Sequence, residues 1–144
     1  MDYLSIDSDN NIKVQAWDIL GKNNVLNLNF KTFNNELVYN VYNFPNPFNN
    51  TTNFTFHYSE KEAVNVEINI YTINGFNVKT ITQENITPSN STFYKISQKW
   101  DGKDNNNNDL SNGTYIYKLS IYQNADNKLI HEGIYKASKV KWET

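Results

Sequence analysis

Residues 64–71 read Val-Asn-Val-Glu-Ile-Asn-Ile-Tyr, an apolar–polar alternation that breaks only at its last pair. In an extended chain, successive side chains point to opposite faces, so Val64, Val66, Ile68 and Ile70 share one face and Asn65, Glu67 and Asn69 the other. That is a strand with one side in a core. Asn74-Gly75 follows almost at once, and this pair favours the positive φ angles of a tight hairpin, so residues 76–81 should return antiparallel. Residues 53–58, 94–100, 114–122 and 129–135 read the same way, whereas no stretch of ten residues carries an apolar stripe at helical spacing. Turn chemistry separates them: Pro45-Asn46-Pro47, Pro88-Ser89-Asn90, Asp101-Gly102 through Asn112-Gly113, and Asn124-Ala125-Asp126-Asn127. Short strands spaced like this predict an all-β, immunoglobulin-like antiparallel sandwich, two sheets filling one core with alternate side chains.

Composition narrows what such a sandwich can do. The chain has 144 residues, room for one domain or one plus a fragment. Aromatic residues make up 15% of it, a fit to a small sandwich core that gains from large buried rings. It has no cysteine and only two histidines, His57 and His131, so thiol chemistry falls away and bases and metal ligands are few. All 13 basic residues are lysine and the formal charge is −2, which argues against a nucleic-acid partner. No apolar run approaches the roughly 18 residues of a membrane span, and residues 1–20 lack a secretory signal's basic start and apolar core. An exported parent would carry its signal upstream. The 27 Asn follow the AT-rich codon bias of a low-GC genome, and singly they carry little functional information.

A domain boundary is expected at residues 34–40. Before it, residues 11–17 and 25–33 form two strands joined by Gly21-Lys22-Asn23-Asn24. Two strands alone are marginal in water. Residues 1–38 therefore read as the last strands of a truncated upstream immunoglobulin-like domain, and they are the candidate surface for self-association. Residues 39–144 supply enough chain for a complete seven-stranded sandwich.

Two motifs stand out. Asn43-Phe44-Pro45-Asn46-Pro47-Phe48 is a rigid turn at the start of the sandwich, because each proline fixes its own φ and extends the residue before it. Phe44 and Phe48 are its expected hydrophobic pins. In the second, Trp100-Asp101-Gly102-Lys103-Asp104 ends a strand, and Asn112-Gly113-Thr114-Tyr115 launches the next. Acidic and amide side chains near 101–105 superficially evoke a calcium loop, but Lys103 takes a ligand position and the mid-loop Gly and closing Glu are missing. Asx-turn hydrogen bonding is the expectation, with no metal and no cofactor. Neither histidine has a partner at metal spacing, and both read as solvent-facing strand positions. Asp18 and the pair Glu60 and Glu62 sit in separate expected elements, which argues against a glycosidase pair. Exposed tyrosines and tryptophans would suit a sugar-stacking platform, the basis of a second reading as a surface adhesion or carbohydrate-binding module.

The ordered set formed by residues 43–48, Thr51-Thr52-Asn53-Phe54-Thr55-Phe56, residues 66–71 with Asn74-Gly75, residues 100–104 and residues 112–119 resembles the C-terminal sorting domain of the type IX secretion system. That family is an immunoglobulin-like sandwich related to the domain of the flagellar hook-capping protein. The resemblance covers residues 40–122 and implies structural or recognition roles for Asn43, Pro45, Asn46, Pro47, Phe48, Trp100, Asp101, Gly102, Asp104, Gly113, Tyr115, Tyr117 and Lys118. It implies translocon components as partners and an exported location at the outer-membrane-associated cell surface of Bacteroidetes-type bacteria, or outside the cell. Ile12-Lys13-Val14-Gln15-Ala16-Trp17-Asp18 and Leu28-Asn29-Phe30 resemble the domain before the sorting domain of a gingipain-family cysteine peptidase, the system's sortase. On that reading the chain itself is catalytically silent and the catalytic domain lies before Met1. The sequence departs from the family twice. Asn107 or Asn108 stands where a second Gly is usual, which Asn tolerates because it accepts the left-handed conformation. The tail from Tyr135 to Thr144 is longer and more polar than the short basic-then-apolar tail common among cargo; on the sortase reading the domain would be retained, and on the cargo reading cleavage stays open.

Overall fold

A computed structural model describes residues 8–17, 23–32 and 37–141, with side chains described over 37–141. Every regular element among them is a strand: β1 (Ser8–Trp17), β2 (Asn23–Thr32), β3 (Val38–Phe44), β4 (Asn53–Tyr58), β5 (Val64–Tyr71), β6 (Asn77–Ile86), β7 (Phe93–Lys95), β8 (Gly113–Gln123) and β9 (Leu129–Lys139). Strands β3-β4-β7 form one sheet and β6-β5-β8-β9 a second, all neighbours antiparallel. The chain is an immunoglobulin-like all-β sandwich, with its seven sandwich strands between Val38 and Lys139.

The alternation in β5 does what its period requires. Val64, Val66, Ile68 and Ile70 are buried, and the intervening residues are half-exposed. From β8 come Tyr115, Tyr117, Leu119 and Ile121, and from the facing sheet Phe54, Phe56, Tyr58 and Tyr94. Aromatic rings close the gap between the sheets: Phe54 meets Tyr117 edge-on at 4.9 Å, and Phe56 stacks on Tyr94 at 5.1 Å. The Tyr94 hydroxyl donates to the carbonyl of Glu62 at 2.6 Å, so its polar end is satisfied. At the β5–β6 hairpin, the Gly75 amide donates to the Thr72 carbonyl and Gly75 takes φ 93°, the positive angle expected of Asn-Gly.

Three elements differ from expectation. Residues 94–100 do not form one continuous strand: β7 stops at Lys95, because Gln83 takes the Ser97 amide at 2.7 Å and draws the backbone away from the ladder. The chain returns only at Trp100, which pairs with Thr52. Strand β3 was not anticipated, and its Val38 lies in the core at 4% exposure. Asn23 and Asn24, read as part of a connection, belong to β2, while Gly21, Lys22 and Phe33 lie outside the described residues, as do 142–144 of the tail. β1 and β2 pair antiparallel as a sheet of their own, and the backbone of β2 approaches that of β9.

Candidate functional site

Three segments distant in sequence meet at one end of the sandwich: the turn over residues 43–52, the loop over 100–113, and the last residues of β9. In the turn, the Phe44–Pro45 and Asn46–Pro47 peptide bonds are both cis. The Thr52 hydroxyl donates to the Pro45 carbonyl at 2.8 Å and accepts from the Asn43 amide at 3.0 Å, which holds the turn from inside. Thr52 and Trp100 then exchange a pair of backbone hydrogen bonds at 2.9 and 3.0 Å. Phe48 is 1% exposed and packs on Trp100 at 5.1 Å, so it is the hydrophobic pin that was expected. Phe44 is not. Asn43 faces inward from β3, period two turns Phe44 outward, and 68% of it is exposed.

Asn46 and Phe48 then fasten this turn to β9. The Asn46 side chain donates to the Lys136 carbonyl at 3.2 Å and accepts from the Ser138 amide at 2.9 Å, standing in for a peptide group of a neighbouring strand. Phe48 continues the same row with its own backbone, bonding Ser138 at 2.9 Å and Val140 at 2.8 Å. A single side chain and a single residue thus supply the pairing that the end of β9 would otherwise lack.

The loop is ordered by its acids. Asp104 accepts from the backbone amides of Asn106 and Asn108 at 2.9 and 2.8 Å, and these bonds, Asn108 foremost, hold its carboxyl below the usual carboxylate range. Asp101 accepts from the Lys103 amide at 3.2 Å. These are the Asx turns expected of the motif. Asn107, at φ 67°, is the residue that takes the left-handed place of the second Gly. Trp100, fully buried, donates its indole N–H to the Lys103 carbonyl at 3.0 Å and meets Tyr115 edge-on at 5.5 Å. The loop also reaches β6, where the Asn105 amide donates to Val78 at 2.9 Å.

Lys139 ties the loop to β9 from beneath. Only 2% exposed, it donates to the Gly102 carbonyl at 3.1 Å, to Asp109 at 2.7 Å and to the Leu110 carbonyl. Its bond to Asp109, with help from Lys141, holds that carboxyl below the usual range. Gly102 carries φ 73°, and a Cβ there would lie 2.7 Å from Lys139 Cε, so glycine is required twice over. Lys139 was missed in the sequence. The signal was the period-two series His131, Gly133, Tyr135, Ala137, Lys139, which continues the core-facing side of β9 to a charged residue.

Most of the residues named by the resemblance gather here: Asn43, Pro45, Asn46, Pro47, Phe48, Trp100, Asp101, Gly102, Asp104, Gly113 and Tyr115. Tyr117 and Lys118 lie farther along β8. Tyr117 is core, 1% exposed between Phe54 and Tyr135, and burial raises its hydroxyl pKa. Lys118 lies on the opposite face and pairs with Glu132 at 3.3 Å. Because Tyr115, Tyr117 and Leu119 all point into the core, β8 offers little recognition surface between Gly113 and Leu119.

Neither histidine is fully solvent-facing. His57 is half-buried, stacked on Tyr39 at 5.2 Å with Phe93 at 5.3 Å. His131 lies on the core side of β9 with its Nε2 2.7 Å from the Tyr135 hydroxyl, and burial pushes its imidazole down to about 4. Among the described residues, no three His, Asp or Glu side chains gather to hold a metal ion. At this end of the sandwich, Asn46, Asp101, Asp104, Asp109 and Lys139 bond backbone or one another, which makes it a built junction of three segments.

Residues 43–127 match the sequence model of the FlgD Ig-like domain. No curated protein matches the chain. Among solved structures, dimeric latent PorU from Porphyromonas gingivalis superimposes with a TM-score of 0.56 at 22% identity, over 94% of this chain and 12% of that one. The extracellular region of rat CD45, domains d3-d4, gives a TM-score of 0.45 at 18% identity, over 96% of this chain and 67% of that one.

Proposed function

Since the chain belongs to the FlgD Ig-like domain family, we propose that it serves as a non-catalytic sorting and docking module of the type IX secretion system. The observation that carries this reading is the junction: the motif residues resembling a sorting domain, scattered from Asn43 to Tyr115, converge at one end of the sandwich. PorU carries the same fold over 12% of its length, matched by 94% of this chain, which supports reading this fold as one module of a larger protein. In this reading that parent is a gingipain-family cysteine peptidase or sortase, its location is the outer-membrane-associated cell surface or the medium, and its partners are translocon components.

The junction favours one mode of docking in this reading. Strand addition at the end of β9 is pre-empted, because Asn46 and Phe48 fill that edge and β2 runs beside the same strand. At this end of the sandwich, a partner in this reading meets the side chains and loop backbone of the junction rather than an open strand edge. To test the role, residues 1–144 are fused to a periplasmic reporter in a strain that has the secretion system and in one that lacks it. Export only in the first is expected. Reporter that stays periplasmic in both overturns the proposal.

A further inference from the structure

The outer face of the three-stranded sheet carries a groove of about 380 Å3 lined by Tyr42, Phe44, Asn53, Thr55, Phe93 and Lys95. Its walls are aromatic and open, with Tyr42 46% and Phe44 68% exposed. Tyr39, stacked over His57 beside Phe93, extends the aromatic row. Two polar groups in this apolar setting lack partners among the described residues. Asn53 Oδ1 is buried without a hydrogen bond, and the amide nitrogen beside it makes only a 3.4 Å contact with the Phe44 carbonyl. Buried acceptors are nearly always satisfied, so an orphan lining a groove points to a missing donor. Lys95 is exposed and takes part in none of the ion pairs among the described residues, and no lining residue is acidic although the chain holds 15 Asp and Glu.

We propose that this groove binds a saccharide bearing a carboxylate. The apolar ring faces of the sugar lie on Tyr42, Phe44 and Phe93, where weakly positive C–H groups meet the negative aromatic faces. The Asn53 amide, held only by its 3.4 Å bond to Phe44, turns to bring Oδ1 to the groove, where a sugar hydroxyl donates to it, and the carboxylate pairs with the Lys95 ammonium. A volume of this size suits a small ligand. An extended peptide added to the sheet fits worse, because β3, one edge, is bulged between Tyr39 and Tyr42 and kinked at Asn40, φ 51°, and β7, the other edge, is only 3 residues long. A groove lined by one lysine, on a chain without arginine, does not suit a nucleic-acid strand.

The test follows amide resonances of the full chain during titration with tri-galacturonate and a glucuronate-containing disaccharide, with maltotriose as the neutral probe. The acidic sugars should shift β3, β4 and β7 with millimolar affinity, and added salt should weaken them. Lys95→Gln should cost the acidic sugars about tenfold and leave maltotriose unaffected. Phe44→Ala should abolish binding, and since Phe44 is mostly exposed this variant stays folded; Tyr42→Ala is the independent second variant. Absence of shifts with every sugar, equal affinity for neutral and acidic probes, or binding that survives Phe44→Ala and Tyr42→Ala overturns the proposal. So do groove resonances that move with protein concentration alone, which assign the face to a second copy, or larger shifts with tri-glutamate, which assign it to an acidic peptide. The groove opens on the outer sheet face and shares only Phe44 with the turn of the junction, and sugar binding is read on the isolated chain without export, so these outcomes are distinguishable from failure of the sorting role.

Discussion

Replacing Gly102 with alanine tests the junction at its tightest point. The new Cβ acts twice. First, φ 73° is a left-handed angle that costs an L-residue about 1–2 kcal/mol. Second, the Cβ would lie 2.7 Å from Cε and 2.9 Å from Cδ of Lys139. A flexible surface lysine would swing aside, but this one is 2% exposed and its ammonium is bonded to Gly102, Asp109 and Leu110. Overpacking of that kind costs a further 1–3 kcal/mol or so. Gly102→Ala should therefore lose about 2–5 kcal/mol in urea unfolding. The steric part depends on the Lys139 stem, so in a Lys139→Ala background the same substitution should cost only the backbone share, about 1–2 kcal/mol. Gly113→Ala is the control: its φ is 148°, nothing lies within 4 Å of its Cβ, and its cost should be the same in both backgrounds. A Gly102→Ala penalty that is unchanged by Lys139→Ala would refute the argument that glycine is there to admit the lysine.

Phe48→Ala should destabilise the domain by about 3–5 kcal/mol, whereas Phe44→Ala, four residues away but mostly exposed, should stay within about 0.5 kcal/mol of the parent in the same melts. Asn46→Ala should cost about 1–2 kcal/mol and, more specifically, speed hydrogen exchange at the Ser138 amide that Asn46 caps. Stability should also fall with pH between about 6.5 and 4. His131 stays neutral in the folded chain down to about 4 while the unfolded chain takes up its proton near 6.5, so the unfolded state binds more protons and gains by acidification. The full loss is on the order of 3 kcal/mol, and His131→Gln should flatten that window. Asp104 and Asp109, with carboxyl pKa values held below 3.8, lose their contribution only at lower pH and leave the His131 window readable.

How far the sequence carried differs between core and junction, for a physical reason. Period two in β5 is a local property, and Val64 to Ile70 went to the core as the alternation demands. The same rule reaches Phe44 once the inward residue beside it is known, but that residue is Asn43, a polar side chain buried because Thr52 pairs with it. Polarity alone pointed the wrong way. The His131 expectation failed likewise: its face of β9 is set by Tyr135 and Ala137, and spacing rather than residue type would have placed it. Lys139 was hidden more deeply, since a lysine reads as solvent-facing until the three oxygens that surround it are known, and they come from residues about thirty positions away.

That discontinuity bears on the proposed sorting role. A surface made of Asn46, the Asp104 loop and the end of β9 exists only while three distant segments are held together, so a partner that reads it must meet a folded domain. The contrary idea is a linear address in the last residues, for which folding is irrelevant. The two part company when stability is varied without touching the exposed junction. Gly102→Ala and Phe48→Ala alter buried positions, and past its midpoint each further 1.4 kcal/mol of destabilisation lowers the folded fraction about tenfold. Exported reporter should fall in step with the folded fraction measured for each variant at the growth temperature. A fusion bearing residues 129–144 alone should stay periplasmic. Export by that peptide, or export indifferent to the folded fraction, would mean that the end of the chain is read as a string and that the junction serves stability only.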